Sequence, residues 1–178
     1  MLYQLRKATL ADQTDLKSLI ARSARALCAP DYTPQQIEAA LCGAFGVDTQ
    51  LIMDGTYFVA VTDGKIVGCG GWSWRRTPFG GDAGPERDST ELDPQTEPAK
   101  IRAFFVDPVY ARQGIGRALL ERCEAEARAH GFSRFELTAT LPGVRLYQSM
   151  GYTAQAPVQY EVHPGLRIEF VPMHKSID

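Results

Sequence analysis

Apolar positions along the chain change period several times, and each change predicts an element. Residues 2 to 7 alternate apolar and polar, as a strand with one covered face does. Leu16, Leu19, Ile20 and Leu27 then recur at helical spacing, and Thr9-Leu10-Ala11-Asp12 ahead of them has the form of a capping box. Pro30 closes that helix. Thr33-Pro34-Gln35-Gln36 opens a second one, with proline at its first position, that runs to about Cys42. Tyr57 to Thr62 reads as a strand, Asp63-Gly64 as a hairpin turn, and Lys65 to Trp74 as the antiparallel return. Gly68, Gly70 and Gly71 weaken that return and mark a bulge or the close approach of another group.

Ile101 to Val106 is a near-continuous apolar run of strand length, the pattern of a strand buried on both faces. Asp107-Pro108 ends it, because proline lacks the amide that a ladder needs. After Arg112-Gln113-Gly114-Ile115-Gly116-Arg117 a helix runs to about His130. It carries Ile115, Leu119 and Cys123 on one face, and Gly131 is its stop. Phe132 to Ala139 alternates again, after a connection too long for a hairpin and suited to a parallel neighbour. Leu141 to Met150 is a short helix. Strands from about Ala154 to Val162 and Gly165 to Met173, turned at His163-Pro164-Gly165, follow it. Residues 75 to 98 show no periodicity and are rich in glycine, proline and acid, which predicts either a lid over a site or a disordered insertion, the lid being preferred.

The length of 178 residues suits one domain, residues 1 to 178. A net charge of -2 argues against nucleic acid or an anionic membrane as the main partner. Arg6, Lys7, Asp12 and Asp15 interrupt any apolar leader and no run reaches membrane-spanning length, so a cytoplasmic location is expected. Cys28, Cys42, Cys69 and Cys123 have no metal-binding spacing and read as small buried hydrophobes; no metal is expected.

Strand, glycine loop and helix start together form an anion site, because glycines admit a phosphate to the backbone and the first amides of a helix have no partner. Two familiar phosphate loops do not fit. GxxxxGK[ST] lacks its Lys-Ser or Lys-Thr, and a dinucleotide fingerprint would need glycine where Leu119 stands. The frame Ala111-Arg112-Gln113-Gly114-Ile115-Gly116 instead resembles motif A of the GNAT superfamily of acyl-CoA-dependent N-acyltransferases, with a departure at Ala111. About thirty residues downstream, Gly143-Val144-Arg145-Leu146-Tyr147-Gln148-Ser149-Met150-Gly151-Tyr152 resembles the family's helix after its fifth strand.

That resemblance implies an α/β (α+β) fold: a mixed, mostly antiparallel sheet of six to seven strands flanked by helices, with a parallel pair splayed at the cosubstrate site. It implies an acetyl-CoA-dependent N-acetyltransferase acting on a small-molecule or peptide amine. Phe104, Phe105 and Val106 would meet the pantetheine arm, the Val106 amide would stabilise the oxyanion, and residues Arg112, Gln113, Gly114, Ile115, Gly116 and Arg117 would hold the pyrophosphate. Tyr147 would be the general acid. Related folds often pair through their carboxy-terminal strands, so a homodimer is one expectation. A non-catalytic acyl-CoA sensor, with Tyr147 only packing, and an interaction protein docking through the acidic 75 to 98 segment are the rival readings. Trp72 and Trp74 read as sheet packing in preference to an acceptor wall, and Glu91, Glu97 and Asp107 are conceivable bases, none of which is chosen.

Overall fold

The structure is a computed structural model that describes residues 2–84 and 87–177. Pro85 and Glu86, which belong to the segment read as a lid, lie outside the described residues. The elements in order are β1 (Gln4–Lys7), α1 (Gln13–Leu27), α2 (Pro34–Ala40), α3 (Thr49–Met53), β2 (Tyr57–Thr62), β3 (Lys65–Ser73), β4 (Ala99–Val106), α4 (Ile115–Ala129), β5 (Arg134–Ala139), α5 (Val144–Ser149), β6 (Thr153–Ala154), β7 (Val158–His163) and β8 (Leu166–Ser176). The sheet runs β1-β2-β3-β4-β5-β8-β6, with β7 paired to β8. Eight strands are thus present among the described residues where six to seven are expected, because the two-residue β6 is too short to leave a period. All pairings are antiparallel except that of β4 with β5.

Alternation within the strands feeds two cores, one on each face. Phe58 and Ala60 of β2 meet Leu119, Leu120 and Cys123 of α4, while Tyr57 and Val59 meet Leu16, Leu19 and Ile20 of α1. Each such leucine or isoleucine contributes about 1.5–3 kcal/mol on burial. The capping signals hold in the structure. The Thr33 hydroxyl accepts the Gln36 amide at 3.1 Å, and the Gln36 side chain accepts the Thr33 amide at 2.8 Å. Asp12 accepts the Thr9 amide at 2.8 Å and both arms of Arg6 at 2.8 and 2.9 Å. The five-residue α3 has no periodic signature; its sign in the sequence is Asp48, whose carboxylate accepts the amides of Gln50 and Leu51.

Two further expectations need correction. Cys42 is exposed, because it lies just beyond α2 with its thiol turned back to the Glu38 carbonyl; the other three cysteines are buried. Burial pushes the Cys28 and Cys69 thiols up to about 12, so neither is a nucleophile at neutral pH. Ile101 to Val106 is buried on both faces only at its start; from Ala103 onward the strand is partly open.

The described part of the 75 to 98 segment is pinned down. Arg75 reaches Asp54 at 2.7 Å and the Ser89 carbonyl at 3.0 Å, Arg76 forks onto Glu97 at 2.5 and 3.1 Å, and Thr77 exchanges hydrogen bonds with Asp88. Phe79 packs against Tyr160 and Phe170, with ring centroids 4.7 and 5.7 Å apart. Most of the acids that suggested a docking tail therefore serve internal contacts, including Asp82, which accepts the Thr49 amide and hydroxyl.

Candidate active site

The site begins where two parallel strands part. β4 pairs with β5 only at Ala99↔Phe135 and Lys100↔Glu136, while β5 stays on β8 as far as Ala139↔Val171. The cause is a bulge. Between the pairs Cys69↔Phe105 and Gly71↔Arg102, β3 advances two residues and β4 three. The surplus falls at Ala103, which takes φ +60, and such a bulge bends its strand. Asp107 donates its amide to the Val67 carbonyl of β3 at 2.9 Å, so the preceding amide, that of Val106, faces the gap. Gly70 lies under the bulge. A Cβ there would come within 2.8 Å of the Phe104 ring, which explains one glycine that weakens β3.

At the far end of the gap the chain turns into α4. Gly114 caps the helix at φ +86 and Arg112 stands at φ +63, a left-handed turn pair that brings successive amides together. The amides of residues 112 to 117 find no acceptor among the described residues. They crown the positive end of a fifteen-residue helix. A Cβ on Gly116 would meet Leu146 Cδ2 at 3.0 Å, so the loop lies tight against α5. Arg112 is exposed, and Arg117 pairs with Glu121 one turn on at 3.0 Å, which offsets the cost of a cation at a helix start. Gln113 turns its side chain back to the Val109 carbonyl.

Gap and loop are two ends of one cleft of about 570 Å³, to which Phe104, Val106, Gly114, Gly116, Arg145 and Tyr147 all contribute. The structure thus brings every expected residue except Gln113 to this cleft and adds Arg145, to which the sequence reading gave no role. Tyr147 is buried, with its ring edge-on to Phe104 and to Tyr152 at 6.2 and 5.9 Å. Its hydroxyl has no hydrogen-bond partner among the described residues, and burial raises its pKa above the usual tyrosine range. Tyr152 is the fixed member of the pair: it donates to Glu124 at 2.9 Å, and Glu124 is held in turn by Lys175.

Tyr147, Phe104 and Phe105 also border a smaller cavity on the other side of the gap, under Phe79 and beside Arg102. Sequence reasoning missed Arg102; its signal was a lone charge inside the run Ile101 to Val106. The two tryptophans are remote from both spaces. Trp72 donates to Glu126 at 3.2 Å and packs on Phe132, and Trp74 stacks on His130. Asp107 accepts the Val109 amide and pairs with Arg22 at 3.0 Å, and Glu97 is held by Arg76.

Comparison with known proteins agrees with this geometry. Residues 22–152 match the acetyltransferase (GNAT) family. A protein of Azospirillum brasilense called IAA acetyltransferase is 31% identical over 104 residues, which span 57% of this chain and 56% of that relative. Among solved structures, a GCN5-related N-acetyltransferase from Rhodopseudomonas palustris superposes with a TM-score of 0.74 at 19% identity, over 99% of this chain and 97% of that one. The PaiA N-acetyltransferase from Thermoplasma acidophilum, solved with coenzyme A, gives 0.67 at 16% identity, over 99% of both chains. The chain belongs to the acetyltransferase (GNAT) family.

Proposed function

We propose that this member of the family moves the acetyl group of acetyl-CoA directly onto a primary amine. The observation that carries this reading is the continuity of the cleft, from the unpaired amides of residues 112 to 117 to the gap where β4 leaves β5. The residues fit the cosubstrate. A diphosphate needs clustered donors at a helix start and close access to the backbone, which Gly114 and Gly116 supply. Arg112 is free to approach it, whereas Arg117 must first leave Glu121. The pantetheine arm would run along Phe104 and Phe105 and take up the peptide groups that β5 no longer meets.

The thioester carbonyl then lies near the Val106 amide, a fixed dipole for the oxyanion. The amine lone pair forms the C–N bond, the tetrahedral intermediate collapses, and the C–S bond breaks. Tyr147 supplies the proton for the departing thiolate, and the proton that the nitrogen sheds on becoming an amide passes through water to restore the phenol. Its raised pKa keeps the phenol protonated, and its hydroxyl has no competing partner. The ammonium form of the acceptor must lose a proton first. An alkyl amine is only about one part in a thousand neutral at pH 7, a cost of about 4 kcal/mol.

Calorimetry with acetyl-CoA should show one site per chain, and an amine panel should release free thiol. No coenzyme binding would overturn the reading. Binding without thiol release from any amine would favour an acyl-CoA sensor.

A further inference from the structure

Arg102 is a buried arginine in the middle of the central sheet, where a cation needs a strong reason to be. Its Nη2 contacts Asp48 at 2.5 Å and donates to the Gly80 carbonyl at 2.7 Å. Asp48 is fully buried as well, and Arg87 forks onto it at 3.0 and 3.2 Å. Two guanidinium groups therefore share one carboxylate, and the cluster holds a surplus positive charge. The buried Nε of Arg102 has no hydrogen-bond partner among the described residues. A buried donor left without a partner usually marks a place where another group belongs.

Arg102 borders the small cavity on the acceptor side of the gap, where Phe45, Phe79, Phe105 and Phe170 form the walls. No carboxylate or imidazole lines it. The space measures about 70 Å³, and since one water takes about 30 Å³, it admits a head of a few heavy atoms. It adjoins a second space of about 130 Å³ across Pro78, Leu137 and Thr138, which gives the remainder of a larger molecule room to lie. An ammonium would be repelled here, whereas a carboxylate would meet surplus charge, an unpartnered guanidinium N–H and low-dielectric walls.

Resting on the acetyl-transfer reading above, we propose that the acceptor is an amine that also carries a carboxylate, and that Arg102 receives that carboxylate. The group transfer is unchanged: the acceptor nitrogen gains the acetyl carbon, coenzyme A leaves as the thiol, and the carboxylate takes no part in bond making.

The test uses matched acceptors whose amines have similar basicity: 4-aminobutanoate against 4-aminobutanamide, and 4-(aminomethyl)benzoate against its carboxamide. Thiol release and equilibrium binding by calorimetry are both measured. The carboxylate of at least one pair should be preferred by about 10- to 100-fold in kcat/KM and in affinity, the worth of a charge-assisted hydrogen bond. In Arg102→Gln that preference should vanish. Thiol release from amines with no preference for the acid in either pair would overturn the proposal and leave acetyl transfer standing. Preferred binding of the acid without thiol release would support the anion site and overturn acetyl transfer instead. If Arg102→Gln does not fold, the wild-type pairs alone decide. If it folds and keeps the preference, Arg102 is not the receptor.

Discussion

The ring of Tyr147 stands edge-on to Phe104, with centroids 6.2 Å apart and planes at 76°, which ties α5 to β4 at the point where that strand leaves its parallel neighbour. In the proposed reaction this contact aims the phenol. Tyr147→Phe keeps the ring contacts and loses only the hydroxyl. It should lower kcat by about 10²-fold, the usual scale for a positioned acid, with little change in coenzyme affinity or melting temperature. The raised pKa also fixes a sign. Wild-type kcat should not decline as pH rises through the ordinary tyrosine range near 10, because the buried phenol is still protonated there. A fall at that point, absent in the phenylalanine variant, would show that the phenol titrates normally.

Gly116 separates coenzyme binding from folding. Alanine is the better helix former by about 1 kcal/mol, and its Cβ would press on Leu146, a side chain that can shift. The fold should persist while the backbone loses its approach to a phosphate. Titration calorimetry should show coenzyme A binding weakened at least about tenfold in Gly116→Ala, and further in Gly116→Val. Unchanged affinity would place the diphosphate elsewhere.

Phe79 borders the smaller cavity, the proposed acceptor side, and packs there against the rings of Tyr160 and Phe170. Phe79→Ala should raise KM for the acceptor and leave coenzyme affinity alone, since that ring is no part of the larger cleft. A loss of coenzyme affinity as large as the rise in acceptor KM would mean that the segment supports the whole site.

Arg6 holds the Asp12 carboxyl below the usual carboxylate range, chiefly through its two hydrogen bonds. A depressed folded pKa gives stability that is complete above the unfolded value near 4 and lost as pH falls through the folded one. Arg6 is about half exposed, so screening limits the pair to about 1 kcal/mol. Asp12→Asn should therefore unfold more readily at pH 7, and the difference from wild type should shrink toward pH 2. A gap that persisted in acid would trace to the cap geometry and not to charge.

Periodicity alone was enough for the larger elements. The alternation of Phe135, Leu137 and Ala139 and the helical spacing of Ile115, Leu119 and Cys123 depend on which face each residue turns to the core, and a face is a local property of the chain. The glycine loop was legible for the same reason, since unpaired amides at a helix start follow from backbone geometry. The parting of β4 from β5 was implied only by family resemblance; the glycines of β3 marked a bulge or a close approach, but the left-handed Ala103 that bends β4 has no mark of its own in the sequence. Asp48, Arg87 and Arg102 are scattered over 55 residues of chain. Their meeting depends on how α3, β4 and the segment above them pack. Which charges share a buried space is a property of three-dimensional contact, and no one-dimensional pattern contains it.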